Sequence, residues 1–173
     1  MALDLFNFNR LGQVFFASNQ AVVTLSALAT TATGLILSNP PGSGKNIAIL
    51  NVQWAFQTAP AGASIVGLAM SPAPSSTPVT HGTPINQVQM GALFGTSGSS
   101  VAKVDAAATT VGTPIFARIM GGPVAAAQIN PPYINDDVGG GLILVPGTSI
   151  QLAYVTTAAL GLGSITWLEF GSL

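Results

Sequence analysis

Apolar and polar residues alternate along much of this chain with a period of two. In residues 45–57 (KNIAILNVQWAFQ), Leu50, Val52, Trp54 and Phe56 fall on one face, and Asn51, Gln53, Ala55 and Gln57 on the other. Alternation rich in β-branched and aromatic residues is the signature of a half-buried strand. Residues 148–156 repeat it, with Ile150, Leu152 and Tyr154 opposite Ser149, Gln151 and Ala153. Shorter strands are expected at 22–27, 35–38, 64–70, 88–94, 101–107, 115–120, 142–145 and 164–170. The last is apolar on both faces: Ile165 and Trp167 on one, Leu168 and Phe170 on the other. A strand of that kind is covered on both sides, in the centre of a sheet or in an interface.

Gly, Pro, Asn and Ser-Gly clusters separate these segments, because they supply positive φ or fix φ near −65°. Pro146-Gly147 has the residues of a type II turn and predicts a hairpin or a tight corner. Two stretches read as loops: residues 71–84, with four prolines, expected to be exposed and extended, and residues 120–141, with three glycine- or proline-rich clusters. Asn39-Pro40-Pro41 and Asn130-Pro131-Pro132 echo each other as turn chemistry. No amphipathic helix stands out in the body of the chain. The expected fold is all-β, a jelly-roll-like β-sandwich of about eight to ten short strands.

The first twenty residues break the pattern. They hold Phe6, Phe8, Phe15 and Phe16, and Leu5, Phe8, Leu11 and Phe15 follow helical spacing. Two readings stand side by side: a first element packed on the domain's own core, or an extended or helical arm reaching a neighbouring subunit. The division expected is an arm over 1–20 and one sandwich domain over 21–173.

Composition narrows the function. Among 173 residues only four are Lys or Arg and five Asp or Glu, none is Cys, and the hydrophobic share is 49%. Four basic residues cannot neutralise many phosphates, so nucleic acid is not an expected partner. Without Cys there is no disulfide framework and no thiolate metal site. High hydropathy suggests a membrane, but the most apolar stretch, 21–37, is broken by Thr24, Ser26, Thr30, Thr31, Thr33 and Gly34. A membrane span needs about 20 predominantly apolar residues in a row. A signal peptide is not expected either, since Arg10 and residues 22–29 only faintly imitate one.

Candidate chemistry is sparse. Gly42-Ser43-Gly44-Lys45 looks like the end of a phosphate loop, but the first glycine is absent and Asn46 stands where Ser or Thr is needed. A turn between two strands is the expectation. His81, the only histidine, lies in the proline-rich stretch and cannot build a multi-histidine metal site; it is expected to be a solvated loop residue. Asp136-Asp137 lacks the spacing of a calcium loop. Lys103 and Asp105 share a strand face, Glu169 points to the side of Trp167, and Arg118 interrupts an apolar strand. One of these is expected to form a buried or interfacial ion pair that sets register. No nucleophile–base constellation is legible, so neither an enzyme nor a cofactor is expected.

Leu35-Ile36-Leu37-Ser38-Asn39-Pro40 leading into Gly42-Ser43-Gly44-Lys45 and an alternating strand resembles virion proteins of tailed bacteriophages. The closing segments Val145-Pro146-Gly147-Thr148-Ser149-Ile150 and Trp167-Leu168-Glu169-Phe170 add to the likeness. The resemblance is to small jelly-roll decoration, or cement, proteins, and covers about residues 21 to 173. It implies a place on the capsid exterior, binding to the major capsid protein or other virion subunits, and a homodimer or homotrimer. Low charge suits this role, since packing identical subunits then desolvates few ions. The interface residues expected are Phe6, Phe8, Leu11, Phe15, Phe16, Trp167 and Phe170. A tail, fibre or head–tail component is the alternative, and a carbohydrate-binding or adhesive module centred on Tyr133, Asn135, Asp136 and Asp137 is another.

Overall fold

A computed structural model describes residues 5–59, 62–63, 65–90, 99–122, 133–156 and 158–171, with the side chains of Leu5, Phe6 and Arg10 outside that description. One short helix, α1 (Leu5–Arg10), precedes β1 (Val14–Ser18), β2 (Val23–Leu25), β3 (Thr31–Asn39), β4 (Lys45–Phe56) and β5 (Val66–Met70). Three two-residue strands follow, β6 (Thr80–His81), β7 (Pro84–Ile85) and β8 (Val88–Gln89). The long ones after them are β9 (Lys103–Thr109), β10 (Ile115–Gly121), β11 (Tyr133–Leu144), β12 (Thr148–Tyr154) and β13 (Ala159–Gly171).

They form two antiparallel sheets. The first runs β11-β4-β13-β1-β8, with β2 also on β13; the second runs β10-β5-β12-β3-β9-β6, with β7 also on β9. The long strands other than β9 are nested: β1 pairs β13, β3 pairs β12, β4 pairs β11 and β5 pairs β10. That is one antiparallel ribbon rolled into two facing four-stranded sheets, the jelly-roll arrangement. The strand β9 adds to the outer side of β3.

Alternation places the core between the sheets. Trp54, Trp167, Phe15, Tyr154, Leu37 and Leu68 are among its fully buried members. A second cluster, Val14, Ala48, Leu50 and Leu168, lies on the other face of the first sheet, with Phe8, Met90 and Phe170 against it. This is why β13 is apolar on both faces: Ile165 and Trp167 face the core, Leu168 the outer cluster.

The extended or helical arm expected over residues 1–20 is not supported: in the described part, β1 follows the other reading, an element packed on the domain's own core. β1 is an interior strand of the first sheet, hydrogen-bonded to β13 on one side and β8 on the other. Phe15 and Phe16 do not share a helical stripe; as strand neighbours they point to opposite faces. Phe15 stacks on Trp167 inside the core, with ring centroids 6.0 Å apart. Phe15 is enclosed between the chain's own two sheets, while Phe16 is half-buried on the outer face of the first sheet.

Leu50 is a second correction. Asn51 pairs with Thr166 and Ile49 with Trp167, so Leu50 is the extra residue of a bulge. A bulge resets the alternation, which moves Leu50 to the outer cluster and Ile49 into the core. Opposite it, β11 passes from Asp137 to Leu142 between the partners Asn51 and Ile49. Gly139 and Gly140 supply the positive φ values, 59° and 82°, that this wide bulge requires. Residues 133–141 are therefore strand, not loop, while 123–132 lie outside the described residues. Residues 91–94 of the expected strand at 88–94 lie outside them too.

Pro146-Gly147 is a tight corner, not a hairpin: the chain leaves the first sheet with β11 and enters the second with β12. Gly147 has φ 84°, and a Cβ there would meet the Ser75 carbonyl oxygen at 2.2 Å. The proline-rich stretch that supplies Ser75 is exposed at most of its positions, as expected, and is anchored on the second sheet. Its Val79 packs on Ala32, Ile36 and Ala108, and Ser75 N–H donates to the Gly147 carbonyl. Its Ser71 hydroxyl bonds that of Ser149, and Gln151 Nε2 donates to the Ala29 carbonyl, so both β12 residues are buried although alternation places them opposite the core.

Candidate functional site

Charged groups are few, and the structure engages several of them. Glu169 is 1% exposed, on the core side of β13 as its register with Trp167 requires. Its carboxylate accepts hydrogen bonds from Lys45 Nζ (3.1 Å), Ser100 Oγ (2.5 Å), Val101 N–H (3.0 Å), Ala102 N–H (3.3 Å) and Trp167 Nε1 (3.3 Å). This is the buried ion pair expected from sequence. It occupies Lys45, and the preceding Gly42-Ser43-Gly44 is the turn from β3 to β4. There Ser43 Oγ donates to Asn39 Oδ1 and Asn39 Nδ2 to the Lys45 and Leu144 carbonyls. The arrangement is that of a structural corner between the sheets.

His81 is the residue whose environment sequence reasoning missed. β6 pairs with β9, setting His81 opposite Ala108 and bringing Nδ1 onto Asp105 Oδ2. Asp105 is 1% exposed, and its Oδ1 has no partner. Lys103 and Asp105 share a face as expected, but the hydrogen-bond partner of Asp105 comes from 24 residues upstream. A two-residue strand is too short for periodicity to reveal. Among the described residues no group of three or more His, Asp or Glu is placed to hold a metal ion.

Arg118, on β10, makes a two-pronged contact with Asp136 on β11, Nε to Oδ2 at 2.6 Å and Nη2 to Oδ1 at 2.8 Å. The hydrogen bond and charge of Asp136, with a smaller contribution from Asp137, hold the guanidinium above its ordinary pKa. The pair ties together two strands that are the outermost members of the two sheets. No described strand pairs with the free side of β10 or of β11. Ile115 (59% exposed) and Ile119 (57%) stand out from β10.

The outer face of the first sheet carries a groove of about 500 Å³. Tyr133 and Leu162 flank Ala55 across the three strands β11, β4 and β13. Two residues along, Asn135, Gln53 and Ser164 form the next cross-strand row. Gln53 Nε2 donates to Asn135 Oδ1 (3.3 Å) and Ser164 Oγ to Gln53 Oε1 (3.2 Å), while Asn51 Nδ2 also donates to Asn135 Oδ1 (2.8 Å). Of the Tyr133 cluster read in sequence, Tyr133 lines the groove and Asn135 adjoins it through its bond to Gln53. Asp137 is exposed farther along β11, opposite Asn51, and Asp136 is turned toward Arg118.

The residues expected at an interface separate into two groups. Phe15 and Trp167 belong to the core. Leu11 is 70% exposed, Phe16 is half-buried, and Phe8 and Phe170 border the outer cluster of the first sheet. The Phe6 backbone lies in α1, its side chain outside the described residues.

Tyr154 offers a check on core burial. Its phenol is enclosed, and burial raises its pKa, an effect the nearby Trp54 indole partly offsets; neither Tyr154 Oη nor Trp54 Nε1 completes a hydrogen bond. A raised folded pKa favours the neutral phenol, so this stability is full below the unfolded value of about 10 and is lost as pH climbs through the folded value. Tyr154→Phe is expected to flatten the alkaline limb of a stability-versus-pH curve measured by urea denaturation.

Comparison with protein-family models, curated proteins and solved structures returned no match. No described helix is long and apolar enough to cross a membrane.

Proposed function

We propose that this chain is a non-enzymatic structural protein of a virion, a decoration protein that stabilises the major capsid protein lattice from outside and associates with its own copies. The observation that supports this most is the open side of the sandwich. There, among the described residues, no strand pairs with the outer sides of β10 and β11, and the exposed Ile115 and Ile119 lie beside the Arg118–Asp136 ion pair. Free-standing proteins blunt such edges with charge, proline or a covering element. With nine charged side chains in 173 residues, there is little charge to do so here. Leu11, Phe8, Phe16 and Phe170 offer a second apolar region on the first sheet. The lattice-binding role draws on the resemblance of residues 35–45, 145–150 and 167–170 to decoration proteins. A tail or fibre component would use the same surfaces, and its position in a particle separates the two.

The test is assembly. Native mass spectrometry of the purified chain is expected to give a dimer or trimer, and co-sedimentation with undecorated shells to give saturable binding. Replacing Ile115 and Ile119 together by Lys should leave the fold intact, both side chains being exposed, and reduce association at least tenfold. A monomer that binds no shell would reject the proposal.

A further inference from the structure

We propose that the groove on the outer face of the first sheet binds a neutral saccharide, one hexopyranose unit stacking on Tyr133 with its hydroxyls on the Gln53–Asn135–Ser164 row. This proposal is independent of the shell-binding one.

The groove follows from register. Tyr133, Ala55 and Leu162 are direct cross-strand neighbours, so a small side chain forms the floor between two larger walls. Adjacent strands lie about 4.8 Å apart, so the walls stand roughly two strand spacings from one another, wide enough for a sugar ring. Tyr133 is 63% exposed and offers an aromatic face to ring C–H groups. The polar row supplies both donors and acceptors. Gln53 and Ser164 are already held by their mutual bond and Gln53 by Asn135, so the row is ordered before a ligand arrives. Vicinal hydroxyls, each a donor and an acceptor, match amide and hydroxyl groups of this kind.

Charge selects among ligands. None of the residues lining the groove carries a formal charge, so an anion or a cation entering it would lose hydration without a counter-charge. A peptide is disfavoured for another reason. The floor residue, Ala55, lies on β4, which is hydrogen-bonded to β11 on one side and β13 on the other, so a peptide seated over it would find no ladder to extend.

The test is a two-dimensional amide NMR titration of the full chain with glucose, galactose, mannose and N-acetylglucosamine up to about 50 mM, together with a glycan array. Saturable shifts are expected at residues 53, 55, 133, 135, 162 and 164. Tyr133→Ala should weaken binding at least tenfold, Tyr133→Phe should retain it, and Gln53→Ala should weaken it several-fold. Both sites are exposed, so the three variants are expected to fold. The Ile115/Ile119 double Lys variant should bind sugar normally, which separates this site from the edge. The proposal is overturned if no neutral sugar gives a saturable shift and the array is empty. It is equally overturned if Tyr133→Ala binds as well as the parent, or if proline-rich peptides, methylammonium or phosphate occupy the groove in preference.

Discussion

Glu169→Ala is expected to destabilise the fold by about 3–5 kcal/mol, the cost of removing one member of a buried, hydrogen-bonded ion pair. The size comes from what is left behind. Val101 N–H, Ala102 N–H, Ser100 Oγ and Trp167 Nε1 all lose an acceptor, Ala102 and Trp167 at fully buried positions. An unsatisfied buried donor costs about 1–3 kcal/mol. Lys45→Ala is the informative contrast. That variant leaves the buried Glu169 carboxylate without the Lys45 ammonium but with its four neutral donors in place, and the side chain removed is itself 40% exposed, so the expected loss is smaller, about 1.5–3 kcal/mol, that of one hydrogen bond to a charged group. Urea denaturation of the two variants checks both values. Equal losses would mean that the ion pair, rather than the set of neutral donors, carries the stability.

Phe15→Ala is expected to cost a similar amount, about 3–5 kcal/mol, through the cavity opened beside Trp167. Its ring is enclosed and stacked at 6.0 Å on that indole, and β1 lies between β13 and β8. If residues 1–20 were an arm, the same substitution would leave the unfolding midpoint unchanged and alter only association. Phe8→Ala, removing a partly exposed side chain at the border of the outer cluster, should cost clearly less. Thermal melts followed by tryptophan fluorescence, whose Trp167 signal reports the same contact, distinguish the cases.

What could be read in the sequence divides along a physical line. The central strands were legible because alternation is a local property. β12 and β13 came within a few residues, and the two apolar faces of β13 were correctly assigned. Pairing is not local. Whether Phe15 packs within its own chain depends on β13, some 150 residues away in register, and nothing near Phe15 encodes that. Bulges defeat alternation in another way: one extra residue at Leu50 inverts the faces on either side, and the glycines at 139 and 140 look like a loop until β4 is set against them. Short strands carry too few residues for a period, so β6 and the His81–Asp105 contact were missed. The groove was half visible. Tyr133 and Asn135 were noticed as an exposed cluster, but Gln53, Ala55 and Ser164 join them only through the register of three strands.

The nested pairing also bears on how the chain comes off the ribosome. β13 is the strand between β4 and β1 in the first sheet, yet it is translated after the other described strands. While residues up to 158 have emerged, β4 and β1 have no common partner, and the faces carrying Trp54 and Phe15 lack the strand that joins them. At about 5–20 residues per second, synthesis of the intervening chain takes seconds. The nascent chain thus holds sticky, half-built sheets until residues 159–171 arrive, a window in which a chaperone would have most to do.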